Sequence, residues 1–189
     1  MSGPFKGVRV LELTSTVSGP FAGMMLADQG AEVIKIEPPG IGDLARFMGT
    51  IKDGMGAMFS TLNRNKKCIC LDFKNEEDLS ILMELVSTAD VLIENYRPGI
   101  VKKLGIDYET LKKIKPDLIY CSISGYGQSG PYKEKKVYDP LIQGTVGIPH
   151  AQNGEFPELI RTIIYDKVTG LTSAQAISAA LYQKANGEG

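Results

Sequence analysis

The sequence predicts an α/β fold: a doubly wound, mostly parallel sheet covered by helices on both faces. Short apolar runs rich in β-branched residues recur without strict in–out alternation, as expected of strands buried on both faces. Segments of helical periodicity with recognisable starts and stops lie between them. The stretch separating the first two runs, residues 14–31, is long enough for the right-handed crossover that joins parallel neighbours.

Residues 8–13 (VRVLEL) form the first strand, bounded by Gly7 and by residues 14–18. Gly19-Pro20 opens an apolar helix, because proline fits a first turn whose N–H groups have no intrahelical partner, and Gly30 stops it. Residues 32–36 (EVIKI) are the second strand, ended by Glu37-Pro38-Pro39-Gly40. Residues 40–67, rich in Gly and Met, read as a long connection with one short helix, and long connections in compact domains are often functional. A strand over 68–72 precedes a helix over 76–89, capped by Asn75 and carrying acids in its first turn. Then come a strand over 91–94, a helix over 108–114 stopped by Pro116, and a strand over 118–124 (LIYCSIS). The last strong helix spans 167–184 and ends at Asn186-Gly187.

The chain has 189 residues, with 21 Lys+Arg against 22 Asp+Glu and a net charge of −1. That balance gives no whole-molecule attraction to a polyanion, so a nucleic-acid partner is not expected. No apolar run approaches the ~18–20 residues of a membrane span, and residues 1–10 lack the shape of a signal peptide. The three cysteines, Cys68, Cys70 and Cys121, lie in apolar runs and read as reduced, buried thiols of a cytoplasmic protein. His150 is the only histidine, so a zinc site is not expected and no metal ligands are assigned.

Three features carry possible chemistry. Residues 125–130 spell G-x-G-x-x-G after a predicted strand, but residues 131–136 (PYKEKK) form a polar turn where a dinucleotide-binding helix would have to begin. The glycines instead mark a loop closely approached by another backbone or a ligand. Basic residues cluster at Arg64/Lys66/Lys67, at Arg97/Lys102/Lys103 and at Lys133/Lys135/Lys136. Each alone reads as solvated surface. The second follows a strand end, where ligands of open α/β sheets sit, and a phosphate-bearing ligand would be served there. Asp166 stands at the mouth of the last helix. It is either a capping or first-turn acid favoured by the helix dipole, or a carboxylate nucleophile with backbone donors nearby for an oxyanion.

Ordered matches along nearly the whole chain resemble a known family. They comprise residues 7–13, Ser18-Gly19-Pro20, residues 26–43 (LADQGAEVIKIEPPGIGD), and residues 63–67 (NRNKK) with Leu71-Asp72. Residues 91–99 (VLIENYRPG) with Leu104-Gly105, residues 122–131, Tyr138-Asp139 with Gln143, and residues 166–170 (DKVTG) complete the set. The pattern is similar to the N-terminal half of the family III CoA-transferases, which include formyl-CoA and carnitine CoA-transferases and are related to the α-methylacyl-CoA racemases.

The resemblance implies a Rossmann-like large domain that binds coenzyme A, an interlocked homodimer, and Asp166 as the catalytic carboxylate. It implies an acyl-CoA donor and a carboxylic acid acceptor as substrates. The CoA thioester is itself a substrate, so no further cofactor is expected. CoA would contact Val17, Ser18, Arg46, Asn95, Arg97, Lys103, Lys136 and Tyr138, in a crevice at the carboxyl edge of the sheet between residues 14–20 and 95–99. Phosphates would be met from among Arg97, Lys103, Lys136 and Arg46. Val17 replaces the glutamine expected of a formyl-CoA transferase, and Pro38 replaces its adenine-side arginine, which argues against formyl-CoA/oxalate specificity. Lys135-Lys136 stands where a racemase would carry a histidine, so transfer is favoured over racemisation. A non-catalytic CoA-binding fragment is a further alternative. The family runs to roughly twice this length. Residues 1–189 are therefore expected to be the N-terminal part of the large domain, without the small domain and the C-terminal return, as a fragment or with a partner chain supplying the rest.

Overall fold

The computed structural model describes residues 2–152 and 154–187. The chain opens with β1 (Arg9–Leu13), α1 (Ser18–Asp28) and β2 (Glu32–Glu37). The long connection that follows holds a 3-10 turn (Leu44–Phe47), a hairpin of β3 (Ile51–Lys52) and β4 (Met55–Gly56), and α2 (Ala57–Leu62). Next come β5 (Lys67–Cys70), α3 (Glu76–Ser87), β6 (Val91–Glu94), α4 (Ile100–Lys103), α5 (Tyr108–Leu111) and β7 (Ile119–Ser122). The chain ends with α6 (Asp139–Thr145), α7 (Ile148–Ala151) and α8 (Ile164–Ala185).

The main sheet has the order β5-β2-β1-β6-β7, with every pair parallel. From β1 the chain moves outward through β2 to β5, then returns to the other side of β1 for β6 and β7. The winding therefore reverses between β1 and β6, and their carboxyl ends diverge into a crevice there. One face of the sheet packs Leu11, Leu13, Ile34, Ile36 and Leu92 under Leu82 and Val86 of α3, with Val101 and Leu104 from the α4 region. The other packs Val10, Val33, Val91 and Ile93 under Ala22 and Leu26 of α1 and Ala174 and Ile177 of α8.

Local pattern accounts for most elements. Asn75 caps α3 by accepting the Glu77 N–H at 2.8 Å. The buried residues of α8, Gly170, Ser173, Ala174 and Ile177, follow the 3, 4, 7 spacing of one helix face. Small residues let α8 close on α1: a Cβ on Gly170 would meet the Ser18 carbonyl at 2.8 Å and the Phe21 ring at 2.9 Å.

Several expectations need correction. The third strand of the main sheet, β5, covers 67–70 rather than 68–72, and it lies at the edge of the sheet. Cys68 and Cys70 are consequently exposed, not core, because an edge strand has no neighbour to cover its outer flank. The side chain of Lys66, read as solvated surface, is fully buried. The last helix begins at Ile164 rather than 167, so Asp166 lies inside its first turn. The short helices α6 and α7 carry too few apolar repeats to announce themselves.

Candidate functional site

The crevice at the carboxyl edge has a volume of about 150 Å³ and is lined by Thr14, Ser15, Glu37, Asp43, Asn95 and Tyr96 among others. It lies between the loop after β1 and the loop after β6. Asp43 links the crevice wall to a buried charge cluster. On the α1 side of the sheet, Lys35 Nζ lies 3.0 Å from Glu12 Oε1 and 2.8 Å from Asp43 Oδ2. Lys66 Nζ lies 2.7 Å from Glu12 Oε2. All four side chains have zero or near-zero exposure. Burial works against the charged form of Lys35, but Glu12 and Asp43 outweigh it and hold the ammonium above its ordinary pKa. For Lys66 burial prevails, and its pKa falls. Its ammonium also donates to the Pro20 carbonyl and to Asn63 Oδ1, both at 2.8 Å, so its three donors are used.

At the end of β2, Glu37 is buried and takes both arms of Arg46, at 2.8 and 2.7 Å. Burial would raise the Glu37 carboxyl, but Arg46 and the Asp43 N–H hold it below the usual range. The Arg46 guanidinium also lies 3.8 Å over the Phe59 ring. The arginine expected at the phosphates is thus committed to the protein.

The loop after β1 is the best-held part of the site. Ser15 donates its N–H to Asn95 Oδ1 at 3.0 Å, and Asn95 Nδ2 donates to the Ser15 carbonyl at 2.9 Å. The Asn95 side chain is therefore engaged with Ser15 instead of standing open to a ligand. Thr16 adopts φ 70°, a left-handed conformation that a β-branched residue enters only when held there, and its N–H donates to Asp43 Oδ1 at 2.9 Å. Val17 is 3% exposed, so it can offer a ligand backbone rather than side chain. Ser18 starts α1 and is partly exposed.

Asp166 is half-buried at the third position of α8, on the same face as Gly170 and one turn ahead of its contact with Ser18 and Phe21. The buried Asp139, at the start of α6, accepts the N–H groups of Tyr165 at 2.6 Å and Asp166 at 3.0 Å through Oδ1. Gln143 backs it, donating to Asp139 Oδ2 at 2.6 Å and gripping the strand-like approach to α8 through Ile160 and Thr162. Ile164 N–H goes to the Thr162 carbonyl. The expectation that the first turn of α8 supplies oxyanion donors is therefore corrected: those N–H groups are already taken. Burial, and then the Asp139 carboxylate, push the Asp166 carboxyl above its ordinary pKa, so the dipole does not dominate its protonation as a bare helix mouth would. Asp139 and Gln143 entered the sequence reading only through the resemblance, because a single chain gives no local sign that they cap a helix more than twenty residues on.

The cations and Tyr138 remain open. Arg97, Lys103 and Lys136 are exposed, and Tyr138 is 70% exposed. Lys136 and Tyr138 flank Val137, which fills the space a Cβ on Gly125 would need, at 2.1 Å from Val137 Cγ1. The expected approach of another backbone is thus corrected: a side chain meets Gly125, and the positions at Gly127 and Gly130 stand open. No helix begins at residue 130, as a dinucleotide fingerprint would need. His150 sits exposed on α7, and among the described residues no cluster of His, Cys, Asp or Glu could hold a metal. No described helix is long and apolar enough to cross a membrane.

The fold and the site together define an open α/β protein with a crevice at its winding switch and a carboxylate on a flanking helix. Residues 5–189 match the sequence profile of CoA-transferase family III, and the chain belongs to that family. It is 42% identical to the succinyl-CoA:glutarate CoA-transferase of Mus musculus, over 96% of this chain and 42% of that one. It is 43% identical to the acetyl-CoA:oxalate CoA-transferase of Acetobacter aceti, over 96% of this chain and 48% of that one. Among solved structures it superposes on a CAIB/BAIF family protein from Brucella suis with a TM-score of 0.91 and 42% identity, covering 98% of this chain and 51% of that one. A hypothetical protein from Mycobacterium tuberculosis gives a TM-score of 0.90 at 35% identity, over 98% and 52%. The chain spans about half the length of these relatives.

Proposed function

We propose that this chain carries the CoA-binding surface and the nucleophile of an enzyme that moves coenzyme A from an acyl-CoA to a carboxylic acid. The observation that carries the reading is the setting of Asp166: half-buried, fixed through Asp139, and on the helix face that packs against the start of α1 beside the crevice. The names of the mouse and Acetobacter aceti relatives, both CoA-transferases, support the reaction class.

In this mechanism the Asp166 carboxylate attacks the thioester carbonyl; the C–S bond breaks, leaving an aspartyl–acyl mixed anhydride and CoA thiolate. The thiolate attacks the aspartyl carbonyl, releasing the donor carboxylate and forming an aspartyl-CoA thioester. The acceptor carboxylate attacks that thioester, and the thiolate then takes the new acyl group and frees Asp166. Each step exchanges one acyl bond for another, which splits a difficult exchange into easier ones. A carboxylate of raised basicity is the better nucleophile once ionised. Arg97, Lys103 and Lys136 meet the phosphates, while Val17 and Ser18 offer backbone to the thioester arm and Tyr138 borders it. Arg46 shapes the wall through Glu37. The working unit is a homodimer.

Succinyl-CoA is the probe, and only the first half-reaction is needed. After quenching with hydroxylamine, mass spectrometry should place the modification on Asp166. Asp166→Asn should abolish the adduct while calorimetry shows CoA affinity within about twofold, because the amide keeps the shape and loses the nucleophilic charge. An undiminished adduct or undiminished transfer in that variant refutes the assignment. Lys103→Ala with Lys136→Ala should weaken CoA binding and flatten its salt dependence. Unchanged affinity would move the phosphate site elsewhere.

A further inference from the structure

Three consecutive residues after β1 are each held by a side chain from a different part of the sheet. Lys35 of β2 donates to the Thr14 carbonyl at 2.8 Å. Asn95, beyond β6, brackets Ser15 through both its N–H and its carbonyl. Asp43, from the long connection, accepts the Thr16 N–H. Two of the three holders, Lys35 and Asp43, are paired with each other at zero exposure. Joining a strand to a helix requires none of this, since connecting loops are ordinarily solvated and mobile. The result is a strained loop fixed in place, with Thr16 at φ 70°.

The loop also divides the two halves of the candidate site. Lys103 belongs to α4, whose neighbours Val101 and Leu104 pack on the α3 face of the sheet. Asp166 belongs to α8, which packs on the opposite face. An extended ligand reaching from Lys103 to Asp166 must cross the carboxyl edge of the sheet, where residues 14–17 stand.

From this geometry we infer that Asn95, Asp43 and Lys35 are positioning residues: they fix the backbone of residues 14–17 as the surface over which the pantetheine arm of CoA is laid toward Asp166. The inference rests on the CoA reading above. It assigns the three side chains to the protein loop, and it makes the loop matter for the arm of CoA and not for its nucleotide.

Asn95→Ala tests this, with CoA and adenosine 3′,5′-bisphosphate as separate probes. Amide hydrogen exchange should show Ser15 losing at least about tenfold in protection while residues 91–93 of β6 keep theirs. Calorimetry should show CoA affinity falling about tenfold, in line with the one or two neutral hydrogen bonds removed, and bisphosphate affinity unchanged within about twofold. Should Asn95→Ala not fold, Asn95→Ser, which keeps a short acceptor near the Ser15 N–H, allows the same comparison. The inference is overturned if Ser15 loses protection and CoA binds as before. An equal fall for both probes together with lost core protection also overturns it, since that marks a merely structural role. A wild-type protein that binds neither probe instead refutes the CoA reading on which the inference stands.

Discussion

Gly23→Ala sets two opposing effects against each other, and the structure decides the sign. Gly23 lies inside α1, where alanine normally gains about 1 kcal/mol over glycine. A Cβ there would lie 1.8 Å from Glu12 Oε2 and 3.0 Å from Glu12 Cδ. The carboxylate has nowhere to go: Lys66 holds Oε2 at 2.7 Å, while Lys35 and the Thr14 hydroxyl hold Oε1, each at 3.0 Å. Moving Glu12 aside leaves Lys66 buried with only the neutral Pro20 carbonyl and Asn63 amide as partners. Separating a buried pair costs about 3–5 kcal/mol, so the net loss should be about 2–4 kcal/mol after the alanine gain. For a chain of this size that corresponds to a fall in Tm of roughly 4–16 °C. Urea unfolding followed by circular dichroism, together with a thermal scan, measures it. A Tm that is unchanged or higher would show that the Glu12 carboxylate is not pinned, and the account of the buried cluster would fail.

Arg46→Ala should destabilise by about 2–3 kcal/mol, less than a wholly buried pair because the guanidinium keeps some contact with water, and urea unfolding should show it; a loss under about 0.5 kcal/mol would mean Glu37 finds another partner. Because the Asp166 carboxyl is raised by burial and Asp139, its ionisation works against folding above its unfolded pKa of 3.8. Asp166→Asn should therefore raise Tm at pH 7 relative to wild type, with the difference shrinking to nothing as pH falls below 3.8, and a constant offset across that range would contradict the assigned shift. Asp139→Asn keeps an acceptor for the Tyr165 and Asp166 N–H groups but removes the repelling charge, so NMR titration should show the Asp166 carboxyl moving down toward its ordinary value. Lys184 ties the end of α8 to Asp90 and Asp117, which holds the Asp117 carboxyl far below its usual range. Lys184→Ala should cost up to about 1 kcal/mol at pH 7, a difference that vanishes as acid protonates Asp117, and a cost of several kcal/mol would place this partly exposed pair in the core.

The strands and their order of use were legible in the chain because burial on both faces leaves an unbroken apolar run, as at residues 91–93, and because caps such as Asn75 act over three residues. The ordered motifs also carried the family and pointed to Asp166. The tertiary structure alone decided how the site is wired. Ser15 meets Asn95 across 80 residues, and Asp166 takes its cap from Asp139 across 27. Neither pairing leaves a periodic trace. Lys66 looks like an ordinary surface cation in the sequence, and only the approach of β1 and α1 turns it into a buried partner of Glu12. Cys68 and Cys70 erred the other way, since a strand's own residues do not say whether it lies at the centre of a sheet or at its edge. Local sequence fixes what an element is through nearest-neighbour sterics and burial pattern; which side chains meet at its ends depends on strand order, which only the folded chain sets.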